Sequence, residues 1–113
     1  MQPAARLGDR HTCKHVGGPI VPTCEPTVLI GGRPAARKGD HGTCKAPLDT
    51  IAKGEPTVLI GGQQAARLGD PTEHGGVIIE GEPTVLIGSE CPDCLRRAAK
   101  ERAAFIKSPP PGL

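Results

Sequence analysis

Three short apolar runs punctuate the chain: Thr27-Val28-Leu29-Ile30, Thr57-Val58-Leu59-Ile60 and Thr84-Val85-Leu86-Ile87. Each follows Glu-Pro and precedes Gly. A β-branched run of this length, bounded by Pro and Gly, predicts a short strand with a turn behind it. A second phrase alternates with the first: Ala4-Ala5-Arg6-Leu7-Gly8-Asp9, Ala35-Ala36-Arg37-Lys38-Gly39-Asp40 and Ala65-Ala66-Arg67-Leu68-Gly69-Asp70. Gly31-Gly32 and Gly61-Gly62 join a strand to the Ala-Ala-Arg phrase that follows, which predicts β-hairpins. Each Gly-Asp predicts a second turn. Residues 1–90 show no helical period.

The two phrases form a repeat of roughly 30 residues, present three times. Three units can close around an axis or stack in a row. Stacked solenoids normally need more repeats and distinct caps, so closure is expected. The predicted fold is all-β: a small pseudo-threefold cone of short strands over residues 1–88. Residues 89–113 break the pattern and form a separate tail. There Leu95 to Ile106 is rich in Ala, Arg, Lys and Glu, good helix formers. Pro92 and Asp93 suit a helix start, and Ser108-Pro109-Pro110-Pro111-Gly112 stops it. The expected apolar stripe is Leu95, Ala98, Ala99, Phe105 and Ile106.

Composition sharpens this picture. The 113 residues fit one domain. The chain has no Trp or Tyr and a single Phe, so its core supplies little stability and a staple is expected. Its 16 Gly and 13 Pro would suggest disorder without a period; with one, they mark turns. A net charge of +2, dispersed and without stacking aromatics, argues against nucleic acid. The N-terminus carries no apolar run behind a basic flank, so neither a signal peptide nor a membrane span is expected. Five cysteines without an export signal favour metal ligation over a disulfide framework.

The His and Cys residues collect at one phase of the repeat, between Gly-Asp and the next Glu-Pro-Thr. The first segment holds His11, Cys13, His15 and Cys24, the second His41 and Cys44, the third His74. Imidazole and thiolate together favour one tetrahedral zinc. Four places on from each Asp stand Cys13, Cys44 and His74. The match of His15-Val16-Gly17-Gly18 to His74-Gly75-Gly76 instead equates His15 with His74. One ligand per repeat is then His15 or Cys13, Cys44 and His74, and the fourth most simply His11. Taking Cys13 as turned away from its neighbours favours the two histidines. His41 reads as a solvated turn residue, and Cys24, at the position of Gly54 and Gly81, as a small turn residue.

Pro3-Ala4-Ala5-Arg6 and Pro34-Ala35-Ala36-Arg37, with the Gly-Asp turns, the His-Gly-Gly segment and the Pro-Thr-Val-Leu-Ile-Gly strands, resemble the PAAR-repeat family. The resemblance covers residues 2–88. The third copy reads Gln64-Ala65-Ala66-Arg67, which implies a less rigid turn and no change of fold. The resemblance implies a sharp β cone that caps the homotrimeric spike of a type VI secretion system, one chain per trimer. It implies a structural zinc near the apex held by three His and one Cys, here His11, His15, His74 and Cys44. It also implies a non-enzymatic protein, made in the bacterial cytoplasm and exported on the spike for membrane puncture, with effector or adaptor docking in some members.

A metal-dependent hydrolase is the competing expectation, with Glu73 as its general base; four protein ligands would close the zinc to water. Cys91-Pro92-Asp93-Cys94 matches a C-x-x-C spacing, but without a thioredoxin-like setting it reads as a helix start with two thiols. The tail helix is expected to pack on the cone's flank or to dock cargo.

Overall fold

The computed structural model describes residues 2–13, 17–22, 24–44, 48–88 and 96–101. Within them run ten strands: β1 (Gln2–Ala4), β2 (Arg10–His11), β3 (Gly18–Pro19), β4 (Glu25–Ile30), β5 (Arg33–Ala35), β6 (His41–Gly42), β7 (Asp49–Thr50), β8 (Glu55–Ile60), β9 (Gln63–Ala65) and β10 (Glu82–Ile87). A short helix covers 96–101. The fold is all-β, as expected.

The hairpins form where the Gly-Gly turns place them. β4 pairs with β5 and β8 with β9, antiparallel and in equivalent register: Ile30 faces Arg33 and Ile60 faces Gln63. Gly31 and Gly32 have φ of 57° and 82°, the left-handed pair that a tight hairpin needs. Gln64 in place of proline leaves the register unchanged.

Among the described residues no strand follows β10, and it pairs with β1 instead, Ile87 facing Gln2 and Glu82 facing Ala4. That pairing joins the two ends of the repeat array and makes a ring, not a row. At its axis three alanines bond in a cycle: Ala5 N–H donates to Ala66 O (2.9 Å), Ala66 N–H to Ala36 O (3.0 Å) and Ala36 N–H to Ala5 O (3.0 Å). Only a small side chain fits where three backbones meet this closely, which accounts for the invariant second alanine of the phrase.

The core is layered on this axis. Ala4, Ala35 and Ala65 pack with Ile30, Ile60 and Ile87. The next layer holds Ala5, Ala36 and Ala66 with Ile20, Ile51, Ile78 and Cys24. Cys24 is buried here, and burial pushes its thiol up to about 11.

Each phrase's arginine staples two repeats. Arg6 bonds Asp9 (3.0 Å) and reaches Glu82 (2.8 Å). Arg37 holds Asp40 (3.3 Å) and Glu25 (3.5 Å), and Arg67 holds Asp70 (3.0 Å) and Glu55 (3.0 Å). The aspartate hydrogen bonds raise Arg6 and Arg37 above the usual arginine value. Burial raises the Asp70 carboxyl, with Arg67 pulling it back down.

The helix over 96–101 lies on the third repeat, with Ala98 buried against Val77 and Ile79 and Leu68 alongside. Arg97 donates to Gly75 O, and Thr12 Oγ1 donates to Glu101 (2.6 Å). Of the expected stripe, Ala98 is buried and Ala99 exposed; Leu95, Phe105 and Ile106 lie outside the described residues. No helix among the described residues is long and apolar enough to cross a membrane.

Candidate metal centre

Two glycines let the loops beyond the strands converge. A side chain on Gly76 would collide with Thr12 O, and one on Gly42 with the His11 imidazole. With both positions bare, the fourth residue after each Gly-Asp turn arrives at one place. Cys13, Cys44 and His74 bring their donor atoms within 4.8 Å of one another. His74 Nδ1 lies 3.4 Å from Cys44 Sγ and 3.5 Å from Cys13 Sγ. Cys44 is buried, and Cys13 and His74 are half-buried. Two sulfurs and an imidazole nitrogen, one from each repeat, suit a borderline-soft cation such as zinc. The two sulfurs are joined as a disulfide, their Cα atoms 6.1 Å apart. Five cysteines pointed to metal ligation over disulfides; the structure offers both chemistries to the same two side chains.

The sequence-predicted ligands fare differently. Cys44 and His74 are brought together. His15 lies outside the described residues. His11 does not join the group. Its ring is buried at 1% exposure, Nδ1 faces Gly18 O (2.9 Å), and Nε2 stands 3.2 Å from Asp49 Oδ2. The preference for His11 over Cys13 rested on Cys13 turning away. Residues two apart on an extended chain share a face, and β2 ends at His11, so no strand geometry sets Cys13. Its actual place follows the count from Asp9.

Asp49 was not anticipated. It is fully buried and accepts the His74 backbone N–H (2.9 Å) and that of Thr50 (2.9 Å). It therefore supports the His74 loop while contacting His11 from the first repeat. A signal was present. Counting back from Ile20, Ile51 and Ile78 finds Gly18, Asp49 and Gly76, so one repeat carries a carboxylate where two carry glycine. Likewise His11 stands where the others have Gly42 and Thr72. The layer beneath the cysteine–histidine group thus holds one histidine and one aspartate, fitted into space the other repeats leave open.

The remaining candidates lie elsewhere. His41 Nδ1 is 3.1 Å from Thr50 Oγ1, Cys24 is in the core, and Glu73 is exposed. Cys91 and Cys94 lie outside the described residues.

A family model described as the PAAR motif matches residues 14–80, more than half of the chain. No curated protein matches the sequence.

Proposed function

From the premise that this chain belongs to the PAAR-motif family, we propose that it is the zinc-stabilised tip capping the homotrimeric spike of a type VI secretion system. The observation that carries this reading is the threefold repetition of one apolar surface. Leu29, Leu59 and Leu86, at equivalent positions of β4, β8 and β10, are 61%, 62% and 48% exposed. One chain with three near-equal faces can seat on a true threefold partner with little mismatch. The alanine and isoleucine layers stand between these hairpins and the cysteine–histidine group.

Next to the cysteine–histidine group the buried side chains are the polar His11 and Asp49, not aliphatic ones. We assign the zinc to Cys13, Cys44 and His74, with His15 of the Cys13 loop as fourth ligand. A closed tetrahedral zinc supplies cross-links between repeats, and its binding free energy becomes folding free energy. Asp49 fixes the His74 loop through its backbone N–H, and the burial of Cys44, with Cys13 and His74 half-buried, limits exchange with water. A zinc closed by four protein ligands has no position for an attacking water, and Glu73 is exposed, so this reading disfavours a hydrolase. Residues 89–113 lie beyond the three repeats and are our candidate for a cargo-docking segment, and export follows from riding on the spike.

Native mass spectrometry of the full chain mixed with a trimeric spike tests this. One chain per trimer is expected. Leu29→Glu, Leu59→Glu and Leu86→Glu together should abolish the complex and leave the zinc in place. Unchanged binding by that triple variant would sink the docking surface.

A further inference from the structure

We propose that Cys13 and Cys44 are a two-state staple: paired zinc thiolates when reduced, and a metal-free disulfide when oxidised. The reduced state rests on the zinc reading above; the oxidised state rests on the pairing in the structure. Their Cα separation of 6.1 Å lies inside the roughly 4.4–6.8 Å that disulfides span. A tetrahedral zinc with Zn–S bonds of about 2.3 Å holds two sulfurs about 3.8 Å apart. Side-chain rotation converts one arrangement into the other on the same backbone. His74 Nδ1 sits 3.4 and 3.5 Å from the two sulfurs, where it can join them on a metal.

The two states exclude each other, because a disulfide sulfur has no thiolate charge to offer zinc. Both tie the first repeat to the second across 31 residues of chain. Oxidation therefore replaces a metal cross-link by a covalent one without opening the ring. What it gives up is the bond to His74 and the third repeat, which Asp49 still holds through the His74 backbone N–H.

The exchange needs an oxidant, and a low-molecular-weight disulfide suffices. The Cys13 thiolate, the more accessible of the two, attacks it, and the oxidant's sulfur–sulfur bond breaks with loss of one thiolate. The Cys44 thiolate then attacks the mixed disulfide at Cys13 and displaces the second thiolate. The Cys13–Cys44 bond forms, the two electrons given up by the cysteines reside on the departing thiolates, and Zn²⁺ leaves. Cys24 stays out of this chemistry, because it is buried in the isoleucine layer and its thiol is held protonated. A tip that leaves a reducing cytoplasm for an oxidising space would thus keep its apex closed after losing its metal.

The test uses the full chain, reduced and loaded with zinc, then treated with oxidised glutathione. Released zinc is read with a chromogenic chelator, and disulfides are mapped by trypsin after alkylation. Cleavage after Arg10, Lys14, Lys38 and Lys45 puts Cys13 and Cys44 in separate peptides, 11–14 and 39–45. The expected result is zinc release in step with linkage of those two peptides, reversed by reductant and zinc. Cys13→Ser should form no such link. Zinc retained under the oxidant, or zinc lost while only other cysteines pair, overturns the staple. Failure of the reduced chain to take zinc at all strikes the zinc reading instead, so the two failures are distinguishable.

Discussion

Arg67→Ala tests the inter-repeat staples most sharply. Arg67 is 7% exposed, and its partners Asp70 and Glu55 are 1% and 4% exposed. Its guanidinium lies 3.0 Å from each carboxylate. Alanine removes the guanidinium that lies 3.0 Å from each of two buried carboxylates, and loss of one partner from a buried pair costs about 3–5 kcal/mol. That is a large share of the roughly 5–15 kcal/mol that holds a small domain together. The control is Arg33→Ala. Arg33 reaches Asp9 at 3.3 Å, but its side chain is 44% exposed, so about 0–1 kcal/mol is expected.

The pH dependence has a definite sign. Asp70 is held above its ordinary value of 3.8 by burial, and Arg67 is the cation that lowers it. Without Arg67 the folded-state value rises further. A carboxyl raised in the folded state contributes its stability below the unfolded value and loses it as pH rises through the folded value. The deficit of Arg67→Ala against the parent should therefore grow between about pH 4 and pH 7. Urea unfolding of both proteins across that range reads it. A cost below about 1 kcal/mol at neutral pH, or a deficit that shrinks as pH rises, would refute the reasoning.

Two further outcomes follow from the apex. Asp49→Ala strips the His74 and Thr50 backbone N–H groups of their acceptor and leaves His11 without its carboxylate neighbour; urea unfolding should show a loss of about 3 kcal/mol, against little change if Asp49 were a spectator. Arg97→Ala with Glu101→Ala removes the donor to Gly75 O and the acceptor of Thr12 Oγ1 that tie the loops carrying His74 and Cys13 to the short helix, so chelator competition should draw zinc from this variant faster than from the parent, and equal rates would show that the helix has no hold on the site.

The hairpins and the ring were legible because the sequence carries the strand phrase three times and the Gly-Gly turn twice, and a Gly-Gly turn between β-branched and alanine segments admits few other readings. The cysteine–histidine group was legible in the count from Asp9, Asp40 and Asp70, which lands on Cys13, Cys44 and His74. His11 stands two residues after Asp9, not four, and its ring turns into the layer below, toward Gly18 O and Asp49. Asp49 and the Arg67–Glu55 pairing stayed hidden for a different reason. Asp49 meets His11 and His74 from segments distant in sequence, and although Glu55 lies only 12 residues before Arg67, no local pattern encodes which carboxylate a folded arginine or histidine will meet. The two chemistries of Cys13 and Cys44 were likewise invisible, since spacing alone does not say that two thiols lie within bonding reach.

The central claim is that three repeats each send one donor, Cys13, Cys44 and His74, to a single zinc. X-ray absorption at the zinc edge of the reduced, zinc-loaded full chain tests it directly. The account predicts two sulfurs at about 2.3 Å and two nitrogens at about 2.0–2.1 Å. A shell of one sulfur and three nitrogens would contradict it and return His11 to the metal in place of Cys13.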